Sequence, residues 1–359
     1  MHTLSERFSC LARKRWQTAA VLCTSLVAIP ASAQQTTLTE SGSTLIAPLL
    51  NTWVSAYQQS HPQVRIIVGL TGSEAGIRDA IAGKVDIGTS DAYMSDDDAA
   101  RHPDIINIPL AIAAQTVNYN LPGLDTLHLK LSGPVLAGIY DGTIQQWNAP
   151  AIAALNPGVT LPAHAIVPVH RGDGSGDTFV FSQFLSFSTP AWEQVHGFGT
   201  TLAWPRVANG IAATGNDGMV KTIAATPYSV GYVGVSYSKD IAAAKLGTAA
   251  LQNGAGEFVL PTREAMQLSA ASLGERTPKD ERLTLVFAPA SGTYPLVNYE
   301  YAVVSARHPD PARTAAIRQF LSWSIAPSEA NQAYLDSANF IALPPHTWEL
   351  SHAQIESIK

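Results

Sequence analysis

Three short runs in this sequence join glycine to hydroxyl-bearing residues: Ser41-Gly42-Ser43-Thr44, Thr71-Gly72-Ser73 and Gly174-Ser175-Gly176-Asp177-Thr178. A helix that starts at such a run leaves backbone N–H groups unpartnered and points the positive end of its dipole outward. Glycine lets the backbone come close to a bound atom, and hydroxyls add donors, so the helix start suits an anion. Each run alone is equally an ordinary helix cap, worth about 1 kcal/mol. Recurrence is what favours the anion. Two charged features sharpen that reading. Arg171 precedes Asp173 by two residues. An arginine can fork onto an oxyanion while a nearby carboxylate fixes its plane, although a surface Arg–Asp pair contributes little. Asp91 closes Thr89-Ser90-Asp91, ahead of the acidic run Asp96, Asp97 and Asp98. It reads either as a turn or capping aspartate or as part of the same constellation.

Other chemistries find little support. There is no G-x-x-x-x-G-K-[ST] loop, and Gly172, Gly174 and Gly176 are spaced G-x-G-x-G, not G-x-G-x-x-G. Position 173 is Asp, so Ser175 does not sit in G-x-S-x-G. His170 is near Ser175 in sequence, which leaves a serine hydrolase as a minor alternative. The ten histidines show no H-E-x-x-H or paired metal-ligand spacing. No metal or cofactor is expected.

The elements that must position these residues follow from periodicity. Val64 to Gly69, Val85 to Ile87 and Ala165 to His170 are β-type runs, each followed by a small-polar turn. Leu45, Ile46, Leu49, Leu50, Trp53, Val54 and Tyr57 recur at helical spacing on one face. Strands alternating with helices predict an α/β fold with largely parallel sheets. Open sheets of this kind hold ligands beyond their strand ends. Thr116 to Tyr119 reads T-V-N-Y and Leu296 to Tyr299 reads L-V-N-Y. They are either a chance likeness or twin crossover strands between two lobes. The second reading makes residues 34–117 plus 298–359 lobe I and residues 118–297 lobe II. The 359-residue length suits two lobes of ordinary size. With 46% hydrophobic and 14% charged residues the chain can bury a large core.

Residues 1–33 read as an export signal. Arg13, Lys14 and Arg15 precede the apolar run Thr18 to Ile29, and Ala31-Ser32-Ala33 offers a cleavage site after Ala33. The run is too short to span a bilayer. Cys10 and Cys23 both fall inside this signal, so a chain starting at Gln34 has no cysteine and no disulfide. Lipidation at Cys23 is the lesser reading, since Val21 and Leu22 precede it. The signal carries Arg7, Arg13, Lys14 and Arg15 against Glu6, a net +3; the whole chain is −6, so the remainder is −9. A body that acidic does not attract nucleic acid or anionic lipid through its net field. Any anion it binds must be held by local donors.

At this point the residues resemble a known family, the phosphate-binding proteins of Pst-type ABC transporters. The similar blocks run in order through the chain: T-E-S-G-S-T-L-I-A-P-L (Thr39 to Leu49), G-S-E-A-G-I (Gly72 to Ile77), V-D-I-G-T-S-D-A (Val85 to Ala92), V-N-Y-N-L-P-G (Val117 to Gly123), the run from Asp141 to Gly158, H-R-G-D-G-S-G-D-T-F (His170 to Phe179), G-N-D-G-M-V (Gly215 to Val220), G-Y-V-G-V (Gly231 to Val235) and V-N-Y-E-Y-A-V-V (Val297 to Val304). The resemblance implies a two-lobed periplasmic-binding-protein fold of type II. Each lobe is then a mostly parallel sheet flanked by helices, and two hinge strands join them. It implies a monomeric periplasmic binder of inorganic phosphate, not an enzyme, whose partners are the permease and ATPase subunits of the transporter. It also implies the ligands: the hydroxyl and N–H of Thr44, the N–H of Leu45, Ser73, the carboxylate of Asp91, Arg171, Ser175 and the N–H of Gly176. Ser43 and Asp173 support them.

Three positions depart from the family pattern. Leu45 stands where many members have an aromatic residue. Glu74 follows Ser73 where a small residue is usual; it either weakens binding or points outward. Asp177 stands where some members have a hydroxyl, although an S-G-D variant also occurs. Asp177 either contacts phosphate or only caps its helix. Asp91 is the expected selectivity element. Phosphate keeps a proton to donate to a buried carboxylate; sulfate has none, and such sites reject the analogue by roughly 10⁴–10⁵-fold. The alternatives are a secreted phosphatase and a binder of sulfate or molybdate.

Overall fold

The computed structural model describes residues Gln35–Lys359; the expected signal, its cleavage point and both cysteines lie outside them. The strands are β1 (Thr36–Gly42), β2 (Val64–Ile67), β3 (Ile87–Ser90), β4 (Ile105–Tyr119), β5 (Lys130–Leu131), β6 (Val167–Arg171), β7 (Ile211–Ala213), β8 (Ser229–Gly234), β9 (Gly247–Thr248), β10 (Ala250–Gln252), β11 (Phe258–Val259) and β12 (Val297–Ser305). The helices up to residue 225 are α1 (Ala47–Ser60), α2 (Ser73–Ile81), α3 (Asp96–Arg101), α4 (Gly133–Asp141), α5 (Pro150–Leu155), α6 (Gly176–Ser188), α7 (Pro190–Val195) and α8 (Gly215–Ala225).

One sheet runs in the order β2-β1-β3-β12-β4-β8-β6-β7, with β9 beside β4, and β11-β10-β5 form a small second sheet. Its two wings are parallel, as expected: β1 pairs in parallel with β2 and β3, and β6 with β7 and β8. Between the wings lie β12 and β4, antiparallel to each other and to their outer neighbours. The 15 residues of β4 serve both wings, pairing with β12 through Ala114 and with β8 from Gln115 onward. The two V-N-Y runs fall in β4 and β12, with Val297 opposite Ala114. Sequence pattern did not show that the wings share one continuous sheet.

Two main apolar cores flank this frame. One gathers Leu38, Leu49, Trp53, Tyr57, Ile317 and Phe320; the other gathers Leu136, Tyr140, Trp147, Phe181, Phe184 and Tyr232. The predicted α1 stripe is buried in full, from Leu45 to Tyr57. Each such large side chain contributes about 1.5–3 kcal/mol by leaving water. The second predicted strand begins later than expected, at Ile87 instead of Val85. Ile-Gly-Thr-Ser is a weak strand sequence, yet all four residues are buried between β1 and β12. Gly88 lets α2 pack on it, since a Cβ there would lie 2.3 Å from the Gly76 carbonyl oxygen. Among the described residues no helix is long and apolar enough to cross a membrane.

Candidate functional site

The parallel strands deliver the polar residues to one place. After β1 the chain turns through Ser43 and Thr44; after β2 it reaches Ser73, the first residue of α2; after β3 comes Asp91. In the other wing β6 ends on Arg171, Ser175 caps α6, and α8 follows β7. Thr44, Ser73, Asp91, Arg171, Ser175 and Asp177 are each at most 8% exposed.

The first wing is tied together by hydroxyls. Ser43 Oγ donates to Asp91 Oδ1 and accepts from the Leu45 and Ile46 amides at 3.1 and 3.3 Å. The Asp91 amide donates to Ser73 Oγ at 3.3 Å. The helix after Thr44 starts at Ala47, and the turn before it folds back onto Ser43. The second wing centres on Arg171. Its Nε donates to Asp173 Oδ1 at 2.7 Å, its Nη2 donates to Asp173 Oδ2, and its Nη1 donates to Asp177 Oδ2 at 2.5 Å. Asp173 also accepts from the Gly215 amide at 3.2 Å. Burial pushes the Asp173 carboxyl up, but the bonds and charge of Arg171 outweigh it, and Asp173 ends below its ordinary value.

The wings meet at these same residues. Asn216 donates from its amide and its Nδ2 to Thr44 Oγ1 at 3.2 and 3.0 Å, and from Nδ2 to Asp177 Oδ2 at 2.8 Å. Its Oδ1 accepts from Gly234 at 2.7 Å. A Cβ on Gly176 would lie 2.6 Å from Ser73 Oγ and 2.7 Å from Asp91 Cβ. Gly72, at φ 88°, sits against the Gly174 carbonyl oxygen, 2.5 Å from where a Cβ would stand. Glu74 turns across the cleft: it accepts from Thr201 Oγ1, and its amide donates to the Gly174 carbonyl at 3.3 Å. Beside the cluster a pocket of about 550 Å³ opens past Arg171 and Asp173 toward Thr200, Trp204 and Arg206.

Two acids of the cluster, Asp91 and Asp177, are raised above their ordinary values. Asp91 is raised, mainly by burial, against the opposing pull of Glu300, Ser43 and Arg171. Asp177 is pushed up to about 7 by burial and then by the charge of Asp91. Such acids beside one guanidinium and several hydroxyl and amide donors can hold a tetrahedral anion that brings its own proton. Among the described residues no group of three or more His, Cys, Asp or Glu could hold a metal ion.

Thus the structure gathers all ten sequence-predicted residues: Ser43, Thr44, Leu45, Ser73, Asp91, Arg171, Asp173, Ser175, Gly176 and Asp177. Asp177 does more than cap: Oδ2 takes donors from Arg171, Asn216 and Ser175. Two residues of the cluster were missed. Asn216 opens G-N-D-G-M-V at a further helix start, a signal of the same kind as the three runs. Glu300 is buried in β12 next to Asp91, and nothing local in V-N-Y-E-Y marks it.

The chain matches the family profile of a PBP superfamily domain over residues 28–328. It is 32% identical over 323 residues to the phosphate-binding protein PstS of Pasteurella multocida, covering 90% of this chain and 91% of that protein. To the PstS phosphate-binding protein of Methanocaldococcus jannaschii it is 30% identical over 339 residues, covering 89% and 85%. A solved phosphate-binding protein from Stenotrophomonas maltophilia aligns with a TM-score of 0.68 at 20% identity, covering 89% of this chain and 93% of the other. That likeness gives the two-lobed fold. By profile and by sequence, the chain belongs to the PBP superfamily and, within it, to the family of PstS phosphate-binding proteins.

Proposed function

We propose that this chain binds inorganic phosphate between its two lobes and hands it to the permease and ATPase subunits of an ABC importer. The observation that carries this reading is Asp91. It is a buried carboxylate with one oxygen unpartnered among the described residues, set among the anion donors of two wings. Such a group accepts a hydrogen bond from a protonated oxyanion and repels one without a proton. Thr44, Leu45, Ser73, Arg171, Ser175 and Gly176 supply the donors, and Asp173 holds Arg171 in plane. Asp177 is the second acid. Half-protonated near neutrality, it favours the more protonated form of phosphate.

Lobe I takes residues 34–117 and 298–359, lobe II takes residues 118–297, and β4 and β12 are the hinge. The chain acts as a monomer in the periplasm once the signal is cleaved after Ala33. Binding, not turnover, fits Ser175: its hydroxyl bonds to Asp177, and among the described residues no histidine is a hydrogen-bond partner. A nucleophile needs an adjacent base to be activated.

The test is thermal unfolding of the chain lacking residues 1–33, with phosphate, arsenate and sulfate. A ligand at a hundred times its Kd stabilises by about 2.7 kcal/mol. Phosphate and arsenate should both raise the melting temperature, and sulfate should not. No rise with phosphate, or an equal rise with sulfate, overturns the reading.

A further inference from the structure

Against Asp91 lies a cavity of about 10 Å³ lined by Asp91, Gln115, Asn298 and Glu300 with Leu45 and Val180. Among the described residues neither Asp91 Oδ2 nor Glu300 Oε2 has a hydrogen-bond donor, and both side-chain amide atoms of Gln115 are likewise unpartnered. The register explains how an acid comes to be buried here. Glu300 is opposite Ala111 and Asn298 is opposite Ala113 across β12 and β4, so these residues and Gln115 share one face. The small alanines leave room for the longer side chains. The same strand grips Asp91 through its backbone, because Asn298 Nδ2 donates to the Asp91 carbonyl at 2.7 Å.

The Asp91 and Glu300 carboxyl groups line this same small cavity. Two buried carboxylates so close cannot both be charged, and one proton must be shared between them. Their surroundings decide which group keeps it. Asp91 receives the Ser43 hydroxyl and feels the positive charge of Arg171. Glu300 is faced by the negative charges of Asp91 and Asp177. Burial first, and those two charges next, drive Glu300 well above its ordinary value.

We propose that Glu300 is a positioning residue for anion selectivity: it carries the proton of the pair and donates it to Asp91, which stays charged and able only to accept. A carboxylate has about four lone-pair sites. Asp91 can therefore take Ser43, Glu300 and the hydroxyl of a bound phosphate together. Without the donor behind it, Asp91 takes up the proton itself and turns into a donor. A site with a donor at that point accepts sulfate as readily as phosphate. The inference rests on the phosphate reading above.

The experiment is titration calorimetry of phosphate and sulfate on the unmodified protein, Glu300→Gln and Glu300→Leu. Glutamine keeps a donor and no charge; leucine keeps the bulk and loses the donor. A hydrogen bond to a charged group is worth about tenfold or more in affinity. The phosphate-over-sulfate ratio of Glu300→Leu should fall by that factor, while Glu300→Gln stays within about threefold of the parent, well inside one such bond. An unchanged ratio in Glu300→Leu overturns the inference. So does a Glu300→Gln variant as impaired as Glu300→Leu, since shape and not the donated proton would then matter. Failure of the unmodified protein to bind phosphate overturns the parent reading instead. A measurement independent of the folding of Glu300→Leu is the infrared carbonyl band of protonated carboxyls at neutral pH. One such band should vanish in Glu300→Gln, and its persistence removes the proton from Glu300.

Discussion

Nη1 of Arg171 donates to Oδ2 of Asp177 at 2.5 Å, and both side chains are almost wholly shut off from water. Asp173 occupies the remaining edge of the same guanidinium. A buried pair of this kind gains little net stability, because desolvation offsets the attraction. Its significance is chemical. Asp177 draws on Arg171, Asn216 and Ser175, the kinds of donor that an oxyanion in the cleft also needs. An anion entering the cleft either shares those donors with a protonated Asp177 or meets a like charge.

The protonation of Asp177 should therefore set the pH response. As pH rises through about 7, Asp177 ionises and phosphate sheds its own proton. Phosphate affinity should fall between pH 6 and pH 8.5. Removing one like charge beside the ligand in Asp177→Asn should restore about tenfold at the alkaline end. Calorimetry across that range checks it; parallel profiles for the two proteins would count against it.

The same group links pH to folding. Its ordinary value is 3.8 and its folded value about 7. Between these the folded chain holds a proton that the unfolded chain has released. Stability from this group is thus lost as pH rises through that window, by up to about 1.4 kcal/mol per unit. Asp177→Asn should flatten that slope in urea unfolding without ligand.

Asp91→Asn replaces a pure acceptor by a group that also donates. Discrimination by a site built for the substrate's proton is about 10⁴-fold or better. The substitution should cut the phosphate-over-sulfate ratio by about two of those orders, mostly by admitting sulfate. Competition between the two anions measures it.

Glu74 accepts a hydrogen bond from Thr201 Oγ1, so its carboxylate has a protein partner at the edge of the site. Glu74→Gln should weaken phosphate by about threefold, through faster release, since such bonds at a cleft edge contribute under about 1 kcal/mol. The anion preference should be unchanged. Tighter binding would mean that the carboxylate repels the ligand after all. Stopped-flow release rates distinguish the two.

Gly176→Ala places a methyl group within 2.6 Å of Ser73 Oγ, where the two wings touch. Overpacking of this kind costs about 1–3 kcal/mol, so unliganded stability should fall on that scale. Phosphate affinity should also drop by about tenfold or more, the scale of one lost bond to a charged group. Melting curves with and without phosphate separate the two effects.

The local parts of this protein were legible in the residue order. The stripe from Leu45 to Tyr57 has helical spacing, and the Gly-Ser starts at Ser73 and Ser175 follow strand-like runs, because caps and periodicity depend on neighbours within a few positions. Arg171 and Asp173 are two residues apart, so their fork was also local. What folding alone decided is which distant side chains share a charge. Asn216 reaches Asp177 39 residues away, and Glu300 comes to lie behind Asp91 only because β12 inserts between β3 and β4 in one register. No periodicity encodes that adjacency. It follows from strand order, and strand order sets where burial forces two acids to share one proton.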